Sequence, residues 1–275
     1  MIAPASSVLV SAFYLLPSSR HSAEHYFECL KRLLHTVKTQ QVIFTDSHTR
    51  QQIFSRFQLS SIPHVRLVDW PMQNFKTQAY RAVFEQQYRH MEISAEAYVV
   101  EHYAIWNEKV SFVHQAMQLY PQQDFFVWID AGSLRNDHYA EKYQYLPLEH
   151  LLRTIGDRVS MLEVKPMTEQ EKQGFRQGKN PLYDGHNRRI KQFEHRIGAG
   201  ILAGSRKAWQ WFYRSYYHAI ESHFIPKDLF IGREQQIFAY LRLKESAHFN
   251  IVPAQPHPYE RDPWYFMLPY LSGHV

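Results

Sequence analysis

Apolar residues follow two rhythms along this chain. Short β-branched or aromatic runs alternate with longer stretches in which apolar positions recur every three or four residues. Residues 7–15, led by Val8-Leu9-Val10, read as a buried strand. In residues 22–37 the positions Tyr26, Phe27, Leu30, Leu33, Leu34 and Val37 fall on one helical face, with Ser22 as its N-cap. Residues 41–45 form a short strand ending at Asp46, residues 47–57 a helix, and residues 65–68 a third strand. Strand–helix alternation of this kind predicts a parallel sheet with crossover helices. Ligands of such sheets sit at the carboxyl ends of the strands, which puts the loops after Phe13 and Thr45 on the ligand side.

Further on, residues 74–89 and 96–119 read as helices, and Tyr103, Trp106, Val110, Val113 and Met117 share one face of the second. Residues 124–130 (DFFVWID) form the clearest buried strand, running directly into Ala131-Gly132. Strands are also expected at residues 159–164 and 197–204, and helices at 207–221 and 232–243. The intervening stretch 169–192 is polar, charged and broken by Gly174, Gly178, Pro181 and Gly185, the pattern of a mobile loop or a partly ordered lid. The tail from Asn250 is rich in proline and aromatics. No repeat or linker divides the 275 residues, so one domain spanning 1–275 is expected.

Composition narrows the function classes. Apolar residues at 45% and charged residues at 21% exclude a disordered body. The single cysteine, Cys29, excludes an internal disulfide and a cysteine-based zinc site, and fits a reducing, cytoplasmic setting. The formal charge of +5 suits an anionic ligand or peripheral contact with an anionic membrane face. It is not gathered into the basic stripe of a nucleic-acid reader, so no nucleic-acid partner is expected.

Four places carry candidate chemistry. Asp130 stands at the end of a buried strand and is followed by small residues that let a ligand approach the backbone. It either caps the next turn or meets a ligand at the sheet edge, and the pattern leaves both open. Glu234, with Gln235 beside it, begins a helix. Its charge suits that terminus, and it is also a candidate general base. The glycines at 198, 200 and 204 allow close approach of a substrate or tight strand packing, without the spacing of a dinucleotide fingerprint. Lys109, on the helix carrying Tyr103, Trp106 and Asn107, is a candidate for neutralising a diphosphate, as is Arg135.

In chain order, VSAFY (10–14), YxxWNEK (103–109), FFVWIDAGSLR (125–135), IGAGILAGS (197–205) and GREQQIF (232–238) resemble the HtrL/YibB family, bacterial glycosyltransferase-like proteins of GT-A type. The resemblance implies a mixed, mostly parallel α/β sheet flanked by helices, a nucleotide-sugar donor, and a surface-polysaccharide or lipopolysaccharide acceptor, a glycan or glycolipid. It implies that Ala12, Phe13 and Tyr14 hold the nucleotide and that Asp46 faces its base or ribose. Asp130 corresponds to the first acid of an Asp-x-Asp motif binding Mn²⁺ or Mg²⁺, and Gly200 and Glu234 border the acceptor and the reacting sugar. The chain departs from that pattern at Gly132, where the second acid would stand, so a metal would need another ligand such as Asp137 or His257. The missing acid also gives an alternative: a non-catalytic nucleotide- or glycan-binding module within a polysaccharide-synthesis complex.

Overall fold

The computed structural model describes residues 7–59, 62–90, 98–135, 141–147, 149–179 and 196–275. The first strand, β1 (Ser7–Ala12), is followed by α1 (Ala23–Thr36), β2 (Gln40–Thr45), α2 (Ser47–Arg56) and β3 (Val65–Asp69). Two short 3₁₀ turns lead into α3 (Arg81–His90) and the long α4 (Val100–Leu119). Then come β4 (Phe125–Ile129), α5 (Glu149–Ile155), β5 (Val159–Glu163), α6 (Glu169–Arg176) and β6 (Ile197–Ser205). The chain closes with α7 (Arg206–Ala219), a π turn (Ile220–Phe224), α8 (Glu234–Lys244), β7 (Phe249–Pro253) and α9 (Met267–Leu271).

The seven strands form one sheet in the order β3-β2-β1-β4-β6-β5-β7. Strands β3, β2, β1 and β4 are mutually parallel. Strand β6 runs antiparallel to both neighbours, and β7 pairs parallel with β5. This is the mixed, mostly parallel sheet flanked by helices that the sequence pattern and the resemblance imply.

The period-two alternation of strand side chains sorts the core onto two faces. Val8, Val10, Val42, Phe44, Phe126 and Trp128 point to the face covered by α3, α4, α7 and α8. Leu9, Ile43, Phe125, Val127 and Ile129 point to the opposite face, where α1, α2 and α9 pack. Helix α1 starts where expected because the Ser22 hydroxyl accepts the His25 amide at 3.2 Å. Helix α2 starts at Ser47 because Asp46 accepts the Thr49 amide at 2.7 Å.

Two expectations change. Within the stretch expected to be a loop, residues Glu169–Arg176 are helical, fixed by a reciprocal cap in which Thr168 and Glu171 each accept the other's amide. The remainder of that stretch, 180–192, lies outside the described residues. The proline-rich tail contains both an edge strand and α9, whose Met267, Leu268 and Leu271 are fully buried. Among the described residues, no helix is long and apolar enough to cross a membrane.

Candidate functional site

From β1 the chain moves outward through β2 and β3, then returns through α4 to place β4 on the other side of β1. The carboxyl ends of β1 and β4 therefore diverge at a switch point, where open α/β sheets form ligand crevices. A cleft of about 320 Å³ lies there. Its floor is the continuation of β1 (Ala12 to Leu16) and of β4 (Asp130 to Gly132). One wall comes from Tyr98 and from His102, Ile105, Trp106 and Lys109, whose spacing keeps them on a single face of α4. The opposite rim carries Arg20, His21, Tyr26, Arg135 and Tyr265.

At the base of the cleft three charges meet. Trp128 and Asp130 are two residues apart on β4 and its continuation, so both face α4. The Trp128 indole Nε1 donates to Asp130 Oδ1 at 2.8 Å. Lys109 Nζ reaches Asp130 Oδ1 at 3.0 Å and Glu234 Oε1 at 2.7 Å. It also donates to the Ala199 carbonyl on β6 at 3.0 Å. An ammonium has three protons to donate, and these three partners account for all of them. The side chain of Lys109 is 4% exposed and that of Glu234 6%, whereas Asp130 is 42% exposed to the cleft.

Burial opposes the Lys109 charge, but the Asp130 and Glu234 carboxylates outweigh it and hold the ammonium's pKa above the usual lysine value. For Glu234, burial pushes the carboxyl above its ordinary value against the lowering pull of Lys109. Tyr14, Tyr26 and Tyr265 are raised by burial and stay neutral phenols, while burial pushes the His102 imidazole down.

The loop that delivers Glu234 is pinned by two buried amides. Asn107 Nδ2 donates to the Ile231 carbonyl at 2.9 Å, and its Oδ1 accepts the Tyr216 hydroxyl at 2.5 Å. Gln87 accepts the Ile231 amide at 2.9 Å and donates to the Leu229 carbonyl at 3.1 Å. Gly232 passes so close to the Phe230 and Tyr103 rings that a Cβ there would lie 2.4 and 2.6 Å from them.

The structure thus brings Ala12, Phe13, Tyr14, Lys109, Asp130, Gly132 and Arg135 to one cleft. Gly200 lies behind it, where a Cβ would touch Asp130 Oδ2 at 3.4 Å. Gly198 and Gly204 instead make room for Leu162 and for the Arg158 carbonyl, so tight packing accounts for them. Glu234 sits behind Lys109 and does not line the cleft, nor does Gln235. Asp46 is engaged as the α2 cap and does not line it either.

His257 is not brought to Asp130. One ring nitrogen faces the His274 carbonyl at 3.0 Å and the other accepts the Tyr259 amide at 3.2 Å. Asp137 lies outside the described residues. Among the described residues, no three His, Cys, Asp or Glu side chains gather to hold a metal. Among the described residues lining the cleft, Asp130 is the one carboxylate, and both its oxygens already face the Lys109 ammonium. A hard cation wants several oxygen ligands; one carboxylate already occupied by a cation is a poor fit for a divalent ion.

Several lining residues escaped the sequence reading: Arg20, His21, Tyr26, Tyr98, His102 and Tyr265. His102 and Tyr98 had a usable signal, since they continue the Trp106–Lys109 face of α4 toward its start. Arg20 and His21 lie in a loop and Tyr265 ends a short 3₁₀ turn (Pro263–Tyr265), and these had none.

No protein-family profile matches the chain, and no curated protein matches it in sequence. Among solved structures, it is similar to the galactosyltransferase LgtC in complex with donor and acceptor sugar analogs, at 13% identity and a TM-score of 0.45, over 94% of this chain and 81% of that one. It is also similar to a glycosyltransferase involved in glycosylation of the major capsid of PBCV-1, at 9% identity and a TM-score of 0.40, over 90% of this chain and 81% of that one. None of these likenesses is close enough to carry a residue's role across.

Proposed function

We propose that this protein is a glycosyltransferase that moves a sugar from a nucleotide-sugar donor to a glycan or glycolipid acceptor. The observation that carries the reading is Asp130. It is a half-exposed carboxylate at the carboxyl edge of a parallel sheet, aimed into an aromatic-walled cleft by an ion pair beneath it. The aromatic faces of Tyr26, Tyr98 and Trp106 suit a base and sugar rings, and the arginines at the rim suit a diphosphate. The ordered motifs resembling HtrL/YibB proteins support a surface-polysaccharide or lipopolysaccharide acceptor.

In this reading the bond between the anomeric carbon and the donor's phosphate oxygen breaks, and its electron pair leaves on the nucleoside diphosphate. The acceptor oxygen forms the new glycosidic bond and gives its proton to Asp130, the carboxylate that reaches the cleft. Lys109 holds the Asp130 carboxylate in place. Glu234 holds Lys109 from behind, so the base role moves from Glu234 to Asp130 and Glu234 becomes a positioning residue. No step is routed through a metal.

A thermal-shift screen of UDP-, GDP-, CMP- and dTDP-sugars tests the reading, because a ligand of the native state raises its apparent stability. We expect one nucleotide class to stabilise the protein and transfer by that donor to fall about 10²–10⁴-fold in Asp130→Asn with the fold intact. Transfer at the wild-type rate in that variant would remove Asp130 from the chemistry. One feature favours the alternative of a non-catalytic binding module: Glu234, the second acid of the site, is buried and fully engaged with Lys109. A donor that binds with neither transfer nor hydrolysis would support that module.

A further inference from the structure

Three cations are candidates for neutralising the donor's diphosphate: a divalent ion on Asp130, the Lys109 ammonium and the Arg135 guanidinium. Lys109 spends its three protons on Asp130, Glu234 and the Ala199 carbonyl. It answers two carboxylates with one charge, so it has neither a donor nor net charge left for phosphate. Asp130, in turn, offers a metal one carboxylate already facing an ammonium and an indole N–H.

The remaining positive charge of the cleft stands at its rim. Arg135 is the better defined. Its Nε donates to the Gly132 carbonyl at 3.2 Å, and its guanidinium lies 4.7 Å over the Tyr265 ring. These contacts hold Nε and one face of the exposed group, whose terminal N–H fork is of the kind that grips phosphate oxygens in pairs. Arg20 lines the same rim, and both arginines act on His21 there. Burial, His25 and these two guanidiniums all push the pKa of the His21 imidazole down. Among the described residues, no carboxylate lies within salt-bridge distance of either guanidinium. The acid that feels Arg135 is the half-buried Glu260, which is occupied with the Asp262 amide.

We propose that Arg20 and Arg135 clamp the donor's diphosphate directly, so that donor binding in this protein needs no divalent metal. This rests on the nucleotide-sugar reading above. The clamp replaces both the missing acid at Gly132 and the metal that acid would have helped to hold.

Calorimetric titration of UDP, GDP, CDP and dTDP, each with EDTA and each with Mn²⁺, tests it. We expect one nucleoside diphosphate to bind with equal affinity under both conditions. We expect Arg135→Gln and Arg20→Gln each to weaken it about tenfold or more, as loss of a hydrogen bond to a charged group does. The matching nucleoside monophosphate should lose much less. Both arginines are exposed, so circular dichroism should show unchanged folding. Binding that appears only with Mn²⁺, or metal-free binding unchanged in the double variant, overturns the clamp and leaves the glycosyltransferase reading standing. No binding of any nucleoside diphosphate by folded protein overturns both.

Discussion

Lys109 is one charge set between two acids, and the cost of removing it belongs to that residue alone. Lys109→Met keeps the stem and deletes the ammonium, leaving Glu234 buried opposite Asp130 with nothing between them. Breaking a buried pair by removing one partner costs about 3–5 kcal/mol. Urea unfolding at neutral pH should show a loss of that size, with Glu234 taking up a proton in the folded variant. A loss below about 1 kcal/mol would mean that the triad is incidental to stability. At this scale the sequence was partly readable. Asp130 declared itself, because a carboxylate at the end of DFFVWI cannot stay inside the core. The joining of Lys109, Asp130 and Glu234 did not, because they come from three elements and no spacing in the chain encodes their meeting. The sequence reading gives Asp130 a metal, Lys109 a diphosphate and Glu234 an acceptor proton, whereas the fold pairs Lys109 with both acids.

Among the elements, the π turn after α7 carries a built-in acid sensitivity. Its His223 ring stacks on Tyr240 of α8 at 4.2 Å, with Lys227 and Lys244 within electrostatic reach. Burial, assisted by those two lysines, pushes the imidazole down from 6.5 to about 4. The folded ring therefore stays neutral at pH values where the unfolded one takes a proton. Its contribution to stability is whole above about pH 6.5 and drains away as the pH falls toward about 4. His102 and His114, also lowered by burial, share part of that window. The difference between proteins isolates His223: urea midpoints of His223→Gln should fall less steeply from pH 6.5 to pH 4 than those of the wild type. Parallel profiles would show that this ring titrates as it does in the unfolded chain. Most elements announced themselves by their periodicity, and β1 to β4 lie within a few residues of expectation. Helix α6 was hidden by its polarity, although Thr168-x-x-Glu171 is a helix-start signal that outranks Gly174 within it and Gly178 after it. Strand β7 was not readable, since its hydrogen bonds come from β5, about ninety residues earlier in the register.

For the molecule as a whole, the tail is part of the core. Phe266, Met267, Leu268 and Leu271 are each at most 2% exposed and pack against Leu33, Val37 and the β4 face. Burying such side chains is worth roughly 1.5–3 kcal/mol each, against a typical total stability of about 5–15 kcal/mol. Deleting the chain from Arg261 onward should therefore abolish the cooperative unfolding transition seen by circular dichroism. A truncated protein that melts cooperatively near the wild-type midpoint would show the tail to be an appendage. The class of fold was readable from strand–helix alternation, while the part played by the tail was not, because proline and aromatic content says nothing about where a segment docks. Tyr265, within this same tail, lines the cleft together with Ala12 and Phe13. During synthesis the first wall emerges early and the last only after the intervening sheet has been made, tens of seconds later at roughly 5–20 residues per second. Until Tyr265 has emerged the nascent chain has no finished cleft to fill, so ligand cannot guide the folding of the elements made before it.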